Sequence, residues 1–107
     1  MAERYIRVVS IWIHKGQVAA FDAFEREAAR RMAAHGGRID FAVRTSPPGS
    51  SPGPDSLEPY EVHIVSFPDK ASADAYAADP ATQALAEKRI TIIARTTAVA
   101  GRETGPY

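Results

Sequence analysis

The residue best suited to acid–base chemistry in this sequence is His63, in the middle of the run YEVHIVSF at residues 60–67. Histidine gains and loses a proton near neutral pH more readily than any other side chain. Glu61 lies two residues earlier, on the same face of an extended strand, where its carboxylate can orient the ring. His63 and Glu61 are therefore candidate catalytic residues. The alternative is that His63 is a hydrogen-bonded spacer at a helix or dimer interface.

Three further side chains could act on a substrate oxygen. Tyr76 could donate a proton, although a helix tyrosine that faces a sheet more often serves packing. Arg95 and Arg44 could each hold a phenolate, enolate or carboxylate. Equally, either arginine could pair with Asp40 or Glu61 across the sheet. We take Arg95 and Tyr76 as catalytic candidates and Arg44 as a substrate-binding candidate.

Aromatic side chains near the strand ends could form the walls of a substrate pocket. Trp12 could stack on an aromatic ring and orient it with its indole N–H, although a single tryptophan in a strand is often a core residue. His14 shares its face, and Phe41 is the bulkiest residue of the second strand. We expect Trp12, His14 and Phe41 to bind substrate together with Arg44.

The composition excludes several classes of function. Lys plus Arg and Asp plus Glu number 13 each, so no net charge attracts the chain to nucleic acid or an acidic membrane. The three histidines have no metal-ligand spacing, and no dinucleotide or phosphate-loop fingerprint is present. Cysteine is absent, and the N-terminal run is neither a signal peptide nor a membrane span. We expect a cytoplasmic protein with no metal, cofactor, nucleic-acid or membrane partner.

The periodicity of apolar residues predicts the elements that position these side chains. Alternating β-branched and aromatic residues indicate strands, and a three- to four-residue period indicates helices. The predicted order is strand, helix, strand, strand, broken helix, strand, at residues 5–14, 17–35, 38–45, 60–67, 70–88 and 91–99. The break in the second helix falls at Asp79-Pro80, where the aspartate can cap a new helix that has proline in its first turn.

The chain length fits one domain, residues 1–107, with a flexible loop and a polar tail. The loop at 46–58 is rich in Pro, Gly and Ser and cannot contribute to a core. It is either a lid over the pocket or a disordered hairpin tip. The tail comprises residues 101–107.

Right-handed crossovers place both helices on one face of a four-stranded antiparallel sheet, with the first and third strands in the centre. The other face would expose apolar residues, including Phe41, Ile64 and Ile93. Soluble monomers rarely expose large apolar patches. We therefore expect a homodimer in which the two sheets stack.

The segment YEVHIVSFPDKASADAYAADPATQALAEKR resembles the third strand and second helix of the dimeric α+β-barrel superfamily, near its antibiotic-biosynthesis monooxygenase-like families. The strand ending in Phe-Pro-Asp and the helix with a tyrosine and an Asp-Pro break carry the resemblance. It implies a ferredoxin-like β-α-β-β-α-β fold that dimerises, with a pocket between sheet and helices in each subunit. No haem- or metal-binding signature of the superfamily is present.

The resulting hypothesis is a cofactor-independent enzyme that acts on a small aromatic or polyketide-like substrate. His63 would remove a proton, Arg95 or Tyr76 would stabilise the oxyanion, and Trp12 would stack on the ring. The carbanion could react with dioxygen, as in a monooxygenase, or with an internal carbonyl, as in a cyclase or isomerase. The alternative from another class is a non-catalytic dimeric module that binds small molecules or responds to stress.

Overall fold

The secondary structure follows the order that the sequence predicts. A computed structural model describes residues 3–107. Its four strands are β1 (Tyr5–Ile13), β2 (Arg38–Arg44), β3 (Glu61–Phe67) and β4 (Ile93–Gly101). Its helices are α1 (Val18–Ala33), α2 (Lys70–Ala78), α3 (Pro80–Gln83) and α4 (Ala86–Ile92).

The four strands form one antiparallel sheet in the order β2-β3-β1-β4. The first and third strands are central, as predicted. Val9 of β1 lies between His63 of β3 and Ala98 of β4. Ile11 lies between Glu61 and Thr96 in the same way. These pairs fix which side chains of the three strands share a face, because side chains alternate along each strand. The chain has the ferredoxin-like α+β fold that the sequence predicts.

The helices cover one face of the sheet, called here the helix face. Apolar residues of α1 recur every three or four positions and pack on the odd-numbered residues of β1. The buried core contains helix and strand residues from this face, namely Ile11, Ile13, Phe21, Phe24, Ala28, Tyr60, Leu85, Ile92 and Ile93, with a second cluster of Met32, Val65, Phe67 and Ala73. The opposite face, called here the open face, carries the even-numbered residues of β1.

Two bulges change the faces that simple alternation predicts. Ile39 pairs with a helix-face residue of β3, whereas Phe41 pairs with Ile64 on the open face, so Asp40 is the extra residue. In β4, Ala94 is the extra residue, because Ile13 pairs with Ile93 and the preceding β1 residue pairs with Arg95. The expectation that Ile93 adds to the open apolar face is wrong, because Ile93 is buried in the core.

Glycine and aspartate set the helix ends near the site. Gly36 follows α1 with a φ of 74°, the left-handed conformation that glycine adopts readily at a helix end. Asp79 accepts a hydrogen bond from the Ala81 N–H and caps α3, as predicted. The Asp79 carboxylate also lies 2.8 Å from Nε2 of His35, which joins α1 to the helix break. The helical region continues to Ile92, so β4 begins two residues later than predicted.

Candidate functional site

His63 belongs to a hydrogen-bond network of ionisable side chains on the helix face. The network connects β3 to β2 and α1. Its Nε2 lies 2.5 Å from Oε2 of Glu61. The other carboxylate oxygen of Glu61 accepts a hydrogen bond from Nε of Arg44 at 2.6 Å. Nη2 of Arg44 then donates to Asp22 on α1 at 2.7 Å. His63 and Glu61 are only 4% and 6% exposed, so both ends of their hydrogen bond are shielded from water.

The Glu61 carboxylate fixes which nitrogen of His63 can act as a base. Burial opposes the ionisation of Glu61, but hydrogen bonds from His63 and Arg44 outweigh it and lower its pKa. An ionised carboxylate only accepts hydrogen bonds, so Nε2 of His63 must donate. In the neutral ring the lone pair is then on Nδ1. Arg44 remains cationic because its two carboxylate partners outweigh its own burial and raise its pKa.

Glu25 is a site residue that the sequence analysis missed. Its Oε2 lies 3.8 Å from Nδ1 of His63, on the side of the ring opposite Glu61. Burial raises the pKa of Glu25, and His63 only partly counters this effect. The position follows Phe21 by four residues and precedes Ala28 by three, so it lies on the buried side of α1. That spacing is the sequence signal that could have found it.

A cavity of about 370 Å³ lies between the helix face and the helices. This is the location that the family resemblance implies. Its size falls in the lower part of the range for small-molecule sites. Most of the wall is apolar, and the titratable lining residues are Arg7, Glu25, His63, Tyr76 and Arg89. The cavity therefore brings His63 together with an apolar surface and a few polar groups.

Tyr76 lines this cavity, so the structure brings together three of the four catalytic candidates: His63, Glu61 and Tyr76. The Tyr76 ring packs 5.6 Å from the ring of Phe67. Burial raises the pKa of Tyr76, and the nearby Glu25 raises it further. The phenol consequently stays protonated at neutral pH and can donate a hydrogen bond. Arg44 contacts the site through Glu61 and is not itself among the residues that line the cavity.

Arg95 and Trp12 lie together on the open face, with the sheet between them and His63. The guanidinium carbon of Arg95 lies 3.9 Å from the centre of the Trp12 ring, a cation–π contact. Both side chains donate to the carbonyl oxygen of Ser56, at 2.9 Å from Trp12 and 3.2 Å from Arg95. Their shared role in the structure is to hold the 46–58 loop against the sheet.

The remaining two substrate-binding candidates also lie outside the cavity. Phe41 is on the open face and is 65% exposed. His14 follows the last residue of β1, and its backbone N–H donates to the carbonyl of Ile92. The 46–58 loop contributes no residue to the cavity wall. In this chain the loop covers Trp12 and does not act as a lid over His63.

Two arginines of the cavity, Arg7 and Arg89, were not among the sequence candidates. Arg7 is on β1, two residues from the partner of His63 in the sheet. Arg89 is on α4, and its Nη2 donates to Oγ1 of Thr96 at 3.1 Å. Arg7 could have been found from the sequence, because it is the one charged residue on the otherwise mostly apolar odd-numbered side of β1. No comparable signal was available for Arg89, because the sequence analysis did not resolve α4 as a separate helix.

Residues 3–107 contain no group of three or more His, Cys, Asp or Glu side chains arranged to hold a metal ion. Within the same residues, none of the helices has the length and apolar character needed to span a bilayer.

Comparisons with known proteins identify the fold. No protein-family model matches the chain, and the search of curated proteins returned no match. A solved structure of a protein of unknown function from Rhodopseudomonas palustris is similar over 99% of this chain and 86% of its own, with a TM-score of 0.76 and 13% identity. The chain shares the fold of such proteins.

Two other similar structures have functional names. One, named "putative antibiotic biosynthesis monooxygenase", is from Nitrosomonas europaea; it is 13% identical, with a TM-score of 0.71, over 99% of this chain and 95% of its own. Another of the same name, from Bacteriodes thetaiotaomicron, is 17% identical, with a TM-score of 0.70. The match covers 97% of this chain and 92% of that one. The TM-scores show that the chain shares the predicted fold with these structures, and identities of 13% and 17% leave the reaction to be argued from the site.

Proposed function

We propose that the protein is a cofactor-independent enzyme that removes a proton from a small aromatic or polyketide-like substrate, with His63 as the base. The observation that carries the proposal is the arrangement around the imidazole. One nitrogen is held by Glu61, and the other is on the side of Glu25, a second residue of the cavity wall. A base whose ring orientation is fixed by a carboxylate is a recurring arrangement in acid–base catalysis.

The other cavity residues have complementary roles in this mechanism. Nδ1 of His63 takes the proton, and the negative charge of Glu61 stabilises the imidazolium that forms. Tyr76 donates a hydrogen bond to the oxyanion of the resulting phenolate or enolate. Glu25 is the nearest carboxyl to Nδ1 and can accept or return the transferred proton. The apolar wall excludes water, which strengthens each of these interactions.

The similar structures named antibiotic biosynthesis monooxygenase favour dioxygen as the second substrate. In that reaction the deprotonated carbon reacts with dioxygen. One oxygen atom stays on the carbon as a carbonyl, and the other leaves as water with the two hydrogens that the carbon loses. A cyclase or isomerase would instead use the carbanion within the substrate and consume no oxygen.

The test is a thermal-shift screen against polycyclic phenols, quinols and small aromatic acids, followed by an oxygen electrode for each ligand that binds. The wild type and His63→Gln are compared with His35→Gln, which removes an imidazole outside the cavity wall. We expect turnover to fall by about 10² or more in His63→Gln, the usual contribution of a general base, and to persist in His35→Gln. Full turnover in His63→Gln would contradict the proposal. Turnover without oxygen uptake would exclude the monooxygenase reaction.

We also propose that two copies associate through the open face. Three apolar side chains are exposed there, Phe41 at 65%, Val43 at 48% and Val99 at 66%, beside half-buried aliphatic residues of the central strands. A stacked second sheet would bury this patch.

Light scattering after size-exclusion chromatography tests the association. We expect twice the mass of one chain for the wild type and the mass of a single chain for Phe41→Glu. The control is Ile90→Glu, because Ile90 is 71% exposed but belongs to α4 on the helix side. A monomeric wild type, or a dimer that survives Phe41→Glu, would contradict this interface.

A further inference from the structure

Two arginines of the cavity wall carry positive charge that the proposed mechanism does not use. Arg89 of α4 and Arg7 of β1 both contribute to the cavity wall. Among residues 3–107, neither guanidinium has a carboxylate within 4.0 Å. The remaining basic residue of the cavity wall, His63, has Glu61 as its hydrogen-bond partner. The two arginines are therefore available to a ligand.

A hydrogen bond sets the position of Arg89. Its Nη2 donates to Oγ1 of Thr96 at 3.1 Å, and Thr96 is itself a cavity residue on β4. This bond occupies one of the five N–H donors of the guanidinium and leaves the others free. A planar guanidinium with free donors matches the two oxygens of a carboxylate.

The sheet register places this charge at a distance from the base. His63 is on β3, Val9 follows on β1, and Ala98 lies beyond it on β4. The anchor of Arg89, Thr96, is also on β4, so it is two strands away from His63. Two strand spacings correspond to about 10 Å. The cavity residues between the two positions are apolar, Val9, Ile11 and Ile93.

The charge of the cavity wall favours an anion. Glu25 is the only carboxylate among the cavity residues, and the same residues include two arginines. Glu25 is beside His63, and the positive charge of Arg89 also acts on its pKa, but no oxygen of Glu25 lies within 4.0 Å of that guanidinium. An anionic group that enters on the β4 side meets the guanidinium of Arg89, which has no ion-pair partner of its own among residues 3–107.

We propose that the ligand of this cavity is a small organic acid in which a carboxylate and the group that loses the proton lie at opposite ends of an apolar, ring-sized body. Arg89 binds the carboxylate. The apolar residues between Arg89 and His63 contact the body of the ligand. This inference rests on the proposed function for the role of His63, but the recognition of the carboxylate can be measured without turnover.

Calorimetric titration with a matched pair of probes tests the inference. The probes are 2-naphthoate and 2-naphthamide, which have the same ring system and differ in charge. We expect the wild type to bind the carboxylate at least tenfold more tightly than the amide. Arg89→Gln should abolish that preference and leave amide binding within about twofold. Lys88→Gln is the matched control, because it removes a neighbouring positive charge that pairs with Glu27 outside the cavity wall.

Three results would overturn the inference: equal affinity of the wild type for both probes, loss of the preference in Lys88→Gln as well, or no binding of either probe at millimolar concentration. His63→Gln separates this inference from the proposed function. Carboxylate preference in both the wild type and His63→Gln, with no turnover, would refute the catalytic proposal alone. Turnover that depends on His63, without carboxylate preference, would refute the present inference alone.

Discussion

Replacement of Glu61 by glutamine tests whether this carboxylate fixes the tautomer of His63. The amide has nearly the shape of the carboxylate and can still accept a hydrogen bond from Arg44 through its oxygen. Its NH₂ group then faces Nε2 of His63, which must become an acceptor. The ring proton consequently moves to Nδ1, the nitrogen that the mechanism needs as a base.

The expected loss of stability follows from the two hydrogen bonds of Glu61, at 2.5 Å to His63 and 2.6 Å to Arg44. The bond to Arg44 loses its ionic partner but keeps a charged donor, and the guanidinium still pairs with Asp22, so we expect the larger change at His63. The bond to His63 loses its ionised acceptor and falls from about 1.5–3 kcal/mol to about 1 kcal/mol. We therefore expect Glu61→Gln to lower the free energy of unfolding by about 0.5–2 kcal/mol. The melting temperature should fall by about 4–8 °C for each kcal/mol in a domain of this size.

Two measurements check this prediction. Urea denaturation at neutral pH gives the change in stability, with Glu27→Gln as the control because Glu27 forms only longer ion pairs, at 3.6 and 3.9 Å. Nitrogen-15 NMR of the His63 ring reports which nitrogen carries the proton. Turnover should fall by roughly 10⁴, the scale seen when a catalytic histidine is held in the wrong tautomer. A variant that keeps the proton on Nε2, or is as stable as the wild type, would refute the reasoning.

Two further substitutions test other features of the structure. Burial raises the pKa of Glu25 above its usual 4.5, so ionisation costs the folded state stability as pH rises from 4.5 through the folded-state value. Glu25→Gln should match the wild type below pH 4.5 and become the more stable protein above it, as measured by urea midpoints from pH 4 to 8; a constant difference would contradict this. Gly37→Ala places a methyl group 2.8 Å from Cδ1 of the buried Phe67 ring and should lower the free energy of unfolding by about 1–3 kcal/mol. The control is Gly101→Ala, which has open space around it and should change stability by less than about 0.5 kcal/mol in the same assay.

The fold could be predicted because its signals are local and repeated. Apolar residues alternate in the strands and recur every three or four positions in α1, and the Asp79-Pro80 break follows from capping chemistry. The rule that crossover connections are right-handed then leaves few possible arrangements of four strands and two helical regions. These signals also placed β1 and β3 in the centre, where the structure has them.

The membership of the site could be predicted only in part, because it depends on register. The sequence indicated His63 and Glu61 through their shared face, and Tyr76 through its helix. Arg95 was expected beside them, but the extra residue Ala94 in β4 turns Arg95 to the open face. A slip of one residue moves a side chain across the sheet, and no local pattern in the sequence marks this bulge.

The position of Trp12 also depends on strand register. Alternation separates it from Val9 within β1, but alternation alone does not say which of those two faces His63 shares. The pairing of Val9 with His63 decides the question and places Trp12 on the far side of the sheet. Its indole N–H and the guanidinium of Arg95 then have the Ser56 carbonyl as their common partner. The Pro- and Gly-rich loop is therefore held against the sheet by two side chains that the sequence suggested for other roles, Trp12 for substrate binding and Arg95 for catalysis.

The charged residues of the cavity suggest how such sites can be found in related sequences. Glu25 occupies a position of α1 that the apolar period assigns to the buried side, between Phe21 and Ala28. A charged residue at such a position costs stability unless it has a partner or a ligand. Arg7 similarly falls on the odd-numbered side of β1, which is otherwise apolar apart from Tyr5. A charge that interrupts the apolar pattern of a helix or strand face is thus a better indicator of this site than an aromatic residue in a strand, since packing explains the aromatic residue equally well.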